Sequence, residues 1–262
     1  MEIDWSKAKK KTLWHYEDLI EKMLDVLDYS FVQKYYNYTM LDAATYSKRL
    51  QHGYLLNGKE TSYISQITRH FEMLSIFGVK NYLELIQRVS TKANCELFLK
   101  EVDFSFEMLI QLLNFLFRWV LPFKCTVKEL VETISKPDKD YLPILKELKI
   151  RSNLDILEKF RTRKSRSLLS IETGIKEIFI LELTHRADIS RLAYVRGKTI
   201  KHLCGGGYST LDKIASADMN KMEEDMTAYY VTLGKSFSDF KAVIPLDWMI
   251  GGAKVLPKII EV

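Results

Sequence analysis

YVRGKTIKHLCGGGYSTLDKIASAD, residues 194–218, contains a Gly-Lys-Thr, a triple glycine and a Ser-Thr pair. Each of these occurs in loops that cradle phosphate, and each also occurs where one helix ends and another begins. The nucleotide P-loop pattern, GxxxxGK[ST], needs a glycine where this chain has Leu192, and a buried strand ahead of it. The preceding LELTHRADISRLAYV does not read as a strand, which argues against that loop. KTIKHL reads instead as a short helix that Gly205 or Gly206 ends in the left-handed conformation. Ser209 or Thr210 then caps the next helix, with Asp212 in its favourable first turn.

The same grammar recurs upstream. GVKNYLELIQRVSTKANCELFL, from Gly78, aligns without gaps with KIRSNLDILEKFRTRKSRSLLS, from Lys149, at a separation of 71 residues. Val79 meets Ile150, Leu83 meets Leu154, Glu84 meets Asp155, Lys92 meets Arg163 and Leu97 meets Leu168. PFKCTVKELVETIS (122–135) aligns in turn with GGYSTLDKIASAD (206–218). All four segments read as a turn, then a small polar residue, then a short amphipathic helix. The chain thus divides into an N-terminal helical segment (1–65), two helical units (66–138 and 139–218) and a C-terminal helical extension (219–262). SKPDKDYLP (135–143) is the best linker candidate. The aromatic-rich helices of residues 12–50 read as core, and VIPLDWMIGGAKVLPKIIEV is expected to pack on the body. ADMNKMEEDMTAYYVTLGKSFSDF reads as one helix.

LAYVRGKTIKHLCGGGYSTLDKIASAD resembles a helix-hairpin-helix unit, whose hairpin reads Leu-Pro-Gly-Val-Gly-x-Lys-Thr-Ala and precedes a Gly-Ile-x-Thr step into a third helix. Leu192, Val195, Lys198 and Thr199 match the hairpin, and Gly207-Tyr208-Ser209-Thr210-Leu211 matches the step. Tyr194 and Arg196 stand where the family has its two glycines, and Ala193 where it has proline. Residues 66–218 as a whole are similar to the tandem, degenerate helix-hairpin-helix domains of archaeal and bacterial type. The resemblance implies an all-α fold of two tandem helix-hairpin-helix-like repeats. It also implies contact with a nucleic-acid backbone, DNA in preference to RNA, or a module that has lost that contact and serves as a protein-interaction scaffold. It implies no catalysis and no cofactor.

Composition and charge fit that expectation. The chain has 262 residues, 47% of them apolar, with 5 Pro and 11 Gly, a mixture suited to a helical protein with a sizeable core. Three scattered cysteines make neither a disulfide framework nor a metal knuckle, which points to a reducing, cytoplasmic setting. No apolar run reaches the roughly 18 residues of a membrane span. Net charge is +5, yet residues 159–201 alone carry 11 basic and 4 acidic groups. In KFRTRKSRSLLSIETG, Thr162 reads as a cap and Gly174 as a stop. Arg163, Lys164 and Arg166 then fall in the first helical turn, whose free N–H groups suit a phosphate. The expected nucleic-acid-binding set is Arg161, Arg163, Lys164 and Arg166 with Arg196, Lys198, Thr199 and Lys201. An enzyme would instead need a deep pocket gathering His185, His202 or several acids; His185-Arg186-x-Asp188 and His202-x-Cys204 fall short of a metal-binding spacing.

Overall fold

A computed structural model describes residues 3–53, 59–131, 136–241 and 245–261. Their regular structure is helical, apart from two isolated bridges, Thr39–Asn81 and Thr126–Ser152. The chain forms two compact units, residues 1–52 with 56–121, and residues 53–55 with 122–262. The end of the predicted motif at 132–135, the first residue of the predicted linker, and residues 243, 244 and 262 of the C-terminal segment lie outside the described residues.

In the first unit the helices are α1 (Ser6–Thr12), α2 (Tyr16–Leu27), α3 (Ser30–Tyr36), α4 (Met40–Gly53), α5 (Lys59–Ile76), α6 (Tyr82–Arg88), α7 (Lys92–Glu101) and α8 (Phe106–Phe115). One turn of π-helix, Leu116–Val120, extends α8. Apolar positions three and four apart turn Leu19, Ile20, Met23 and Leu27 of α2 inward. Tyr16, Phe31, Tyr36 and Tyr46 are buried, so the aromatic helices of residues 12–50 do form core, and Phe71, Tyr82 and Phe115 join it.

The second unit holds α9 (Val127–Val131), a 3-10 turn (Lys136–Tyr141), α10 (Leu142–Glu147), α11 (Asn153–Phe160), α12 (Arg163–Thr173) and α13 (Glu177–Ile189). It continues with α14 (Gly197–Gly205), α15 (Leu211–Ala215), α16 (Met219–Thr232), α17 (Ser238–Lys241) and α18 (Leu246–Val255). The core element is α13, which packs against α9, α11, α12 and α15. Lys136–Tyr141, within the predicted linker, runs directly into α10, with which it packs.

A single turn geometry punctuates both units. After α5, Gly78 takes φ +75° and the Val79 N–H returns to the Leu74 carbonyl at 3.0 Å. After α10, Lys149 takes φ +57° and Ile150 N–H reaches Leu145 O at 2.9 Å. After α14, Gly207 takes φ +97° and Tyr208 N–H reaches Leu203 O at 2.8 Å. In each case the left-handed residue satisfies carbonyls the helix leaves open, and the next residue buries its side chain. A capping side chain then starts the following helix: Asn81 for α6, Ser152 for α11 and Thr210 for α15. Helices that begin at Tyr82, Lys92 and Phe106 in the first unit have counterparts at Asn153, Arg163 and Glu177, all 71 residues later.

Two expectations are corrected by this geometry. The left-handed residue of the triple glycine is Gly207, whereas Gly205 and Gly206 are small for another reason. A Cβ on Gly205 would strike the Tyr229 ring, and one on Gly206 the Met226 sulfur, both on α16. The segment expected as one helix after Asp218 breaks into α16 and α17, because Gly234 at φ +64° closes α16 with the same return bond, Lys235 N–H to Tyr230 O at 3.1 Å.

These roles separate in mutants. Lys149→Gly relieves a left-handed side chain and should raise stability by about 0.5–1 kcal/mol. Gly205→Ala drives a methyl into Tyr229 and should cost about 1–3 kcal/mol. Urea unfolding midpoints at constant slope measure both; equal destabilisation by the two would contradict the assignment.

Candidate nucleic-acid interface

The predicted cations start at the turn between α11 and α12. Thr162 accepts the Ser165 N–H at 3.1 Å and so begins α12, while Gly174 at φ +72° ends it. Arg163 and Lys164 occupy the first turn and are exposed. Among the described residues no carboxylate pairs with either. Arg166, one turn further, is 2% exposed. Its guanidinium donates to the Phe160 carbonyl (3.1 Å), the Arg161 carbonyl (3.2 Å) and the Glu261 carbonyl (2.6 Å). Burial lowers its affinity for the proton, with Glu177 and Glu261 acting the other way. Arg166 therefore serves the interior: it closes the C-terminal carbonyls of α11 and holds the chain's last described residue against them. Arg161 is half-buried beside it, and its carbonyl also accepts the Glu261 N–H at 2.8 Å.

The hairpin follows α13. Leu192 and Val195 are buried, and between them Tyr194 takes φ +63° with its ring 41% exposed. The chain thus bends left-handed where the resembled motif places a glycine. Arg196 precedes α14 but turns back. Its guanidinium carbon lies 3.6 Å from the centre of the Phe123 ring, and Nη1 donates to Val195 O at 2.7 Å. Burial is the main cause that lowers its pKa. Gly197, the first residue of α14, lies so close to α9 that an added Cβ would sit 2.8 Å from the Glu129 carbonyl oxygen. Glycine here serves helix contact. Lys198 and Lys201 are exposed on α14, and Thr199 is half-buried between them.

Lys198 and Lys201, together with Lys235, act electrostatically on His202. That ring is 5% exposed and rests against Tyr229, Tyr230 and Phe240, with centroids 6.0, 4.9 and 5.9 Å away. Burial first, and then the three lysines, hold its pKa below the ordinary histidine value. The structure thus sorts the predicted set into three. Arg163 with Lys164, and Lys198 with Lys201, are free surface cations on two helices with different packing partners; α12 lies against α11 and α13, α14 against α9 and α16. Arg166 and Arg196 are engaged in the fold, and Arg161 and Thr199 are half-buried.

One feature escaped the sequence. A cleft of about 480 Å³ opens between α13, α15 and the tail after α18. It gathers His185, Asp188 and Asp212, while His202 lies elsewhere. Asp188 is buried in an ion pair with Arg191, which also donates to the Pro257 carbonyl at 3.0 Å. Burial raises the Asp188 pKa, and Arg191 opposes the rise. Asp212 is bridged by Lys258 at 2.7 Å. Both acids thus hold the tail against α13 and α15. The i,i+3 spacing of Asp188 and Arg191 was the available signal. Among the described residues no group of three or more His, Cys, Asp or Glu converges on a metal-sized site. No protein family, curated protein or solved structure matches the chain.

A half-buried and a buried histidine, His185 and His202, make the stability of the second unit depend on pH. Burial lowers the pKa of both His185 and His202 from 6.5, so the unfolded chain binds more protons near and below that value. Their contribution is complete above the unfolded pKa and is lost as the pH falls below it. Urea midpoints should drop between pH 7.5 and 5.5, and His202→Phe, which keeps the aromatic contacts, should flatten the drop. An unchanged slope in that variant would remove His202 from the account.

Proposed function

We propose that the second unit binds the sugar–phosphate backbone of nucleic acid, DNA in preference to RNA, and that the chain is built on tandem helix-hairpin-helix-like repeats. One contrast carries this reading. Lys92, at the start of α7, is paired with Glu17 at 2.6 Å, whereas Arg163 at the matching place of α12 stands exposed with Lys164 and has no carboxylate partner among the described residues. The charge surplus agrees: the first unit has 15 basic and 15 acidic residues, the second 24 and 19. Backbone N–H groups of a capped helix start beside two unneutralised cations suit a phosphate oxygen. The left-handed Tyr194, the buried Leu192 and Val195, and the Gly207-to-Thr210 step support the resemblance. Binding rests on Arg163, Lys164, Lys198 and Lys201, with Arg166 and Arg196 supporting from within.

A second reading, a protein-interaction scaffold, is favoured by Leu168 and Ile171 on α12 and Ile178 on α13, which are 47%, 81% and 61% exposed.

Fluorescence anisotropy with short DNA and RNA duplexes and single strands, at 50 and 200 mM salt, separates the two. Four phosphate contacts predict a loss of affinity on the order of a hundredfold between these concentrations. Replacing Arg163, Lys164, Lys198 and Lys201 together by Glu should abolish binding, and Leu168→Ser with Ile171→Ser should leave it within about twofold. Salt-indifferent binding, or an unaffected quadruple variant, overturns the backbone reading.

A further inference from the structure

The first unit contains a groove that the backbone reading does not use. It has a volume of about 410 Å³, within the range of small-molecule sites, and lies between α1, the start of α2 and the start of α7. Its apolar wall is aromatic. Trp5 is half-exposed and meets the buried Tyr16 ring at a centroid distance of 4.8 Å. Phe106 buttresses Trp5 edge-on at 5.0 Å, which fixes the indole against the core.

The rim is basic. Lys9, Lys10, His15 and Lys92 line the groove, against one carboxylate, Glu17. Lys92 neutralises that carboxylate at 2.6 Å, while its ammonium also lies 5.6 Å from the centre of the Trp5 ring. Lys9 Nζ lies 3.3 Å from His15 Nε2, so the exposed ammonium donates to a ring nitrogen and has no carboxylate partner among the described residues. His15 also precedes α2, and its side chain caps none of that twelve-residue helix's N–H groups. Glu17 and Asp18 in its first turn answer the positive end of α2, so the positive charge of the rim comes from its side chains. A purely apolar ligand would leave Lys9, Lys10 and His15 without purpose, and a bare phosphate would leave the aromatic wall unused.

We infer that this groove binds a nucleotide, with its base on the Trp5 ring, which the buried Tyr16 backs, and its phosphate among Lys9, Lys10 and His15. Stacking on an aromatic ring tolerates any base, and lysines at the rim select the phosphorylated form over the nucleoside. The same chemistry is offered by a free mononucleotide and by one residue of a single strand.

The test follows the Trp5 indole N–H resonance of the full chain, identified by its loss in Trp5→Phe. AMP, adenosine, inorganic phosphate and an eight-residue oligothymidylate are titrated separately. AMP, the octamer or both should shift the resonance, and adenosine and inorganic phosphate should bind at least tenfold more weakly. A response to AMP assigns the groove to free nucleotides, and a response to the octamer alone assigns it to strands. Lys9→Glu with Lys10→Glu, both exposed and outside the core, should weaken the productive ligand by about tenfold or more. A Trp5 resonance that ignores both nucleotides overturns the assignment, as does inorganic phosphate acting as strongly as AMP, or a double variant that titrates like the parent. The quadruple variant of the second unit should leave the AMP response intact. An octamer that binds through that unit with Trp5 silent would sink this inference and spare the backbone reading.

Discussion

Asn153 is the constraint on which the second unit depends. It is fully buried at the first position of α11, where its carbonyl oxygen accepts the Cys125 N–H at 2.9 Å. Its amide donates to the Phe123 carbonyl at 2.8 Å and to the Ser190 hydroxyl at 2.7 Å. A side-chain amide that satisfies a strand-like segment on one side and the end of α13 on the other leaves little freedom to either. The bridge between Thr126 and Ser152 forms beside it, and Ser190 passes the network on to the Ala187 carbonyl at 2.6 Å. Phe123, fixed in this way, is the ring on which Arg196 lies. The end of α13, the start of α9 and the start of α11 are thus held through one side chain.

From that anchor the cost of helix ends explains most of the chain's small residues. Short helices expose many unsatisfied carbonyls relative to their length, and a left-handed closure satisfies them without extra chain. Gly78, Gly174, Gly207 and Gly234 adopt it, and Leu13, Asp103 and Lys149 adopt it despite their side chains. Gly197 and Gly205 serve a different need, the approach of α14 to Glu129 and Tyr229. No glycine of the 194–218 stretch is left to bring backbone to a phosphate. Any grip on a polyanion there comes from Lys198 and Lys201.

Much of this was legible in residue order, because caps and stops are local. Thr162, Ser152 and Gly174 declare helix ends by their own chemistry, and the 71-residue offset carries the helix starts from one unit to the other. What was not legible depends on distant partners. An arginine in a basic run looks the same whether it meets solvent or the carbonyl of residue 261, so Arg166 read as a surface cation. Nothing near Arg196 in the sequence signals its ring contact, because Phe123 stands 73 positions earlier. The triple glycine named the right turn and the wrong glycine, since Tyr229 and Met226 on α16 decide which position must be bare. Trp5 was passed over because it lies outside the repeats, and its groove exists only once α7 brings Lys92 to it.

The fate of the cation at the aligned position is therefore set by what surrounds it in each unit. In the first unit, α1 and α2 supply Glu17 and Trp5, which draw Lys92 into an ion pair and over an aromatic ring. In the second, the tail supplies the Glu261 carbonyl, which draws in Arg166 three residues beyond the aligned position. Among the described residues no carboxylate pairs with Arg163 or Lys164. One helix start is thereby turned into the wall of an aromatic groove, and its counterpart is left as a bare basic turn. Burying Arg166 strengthens that division, since its three carbonyl bonds fix the turn from below while the two cations ahead of it keep their charge at the surface.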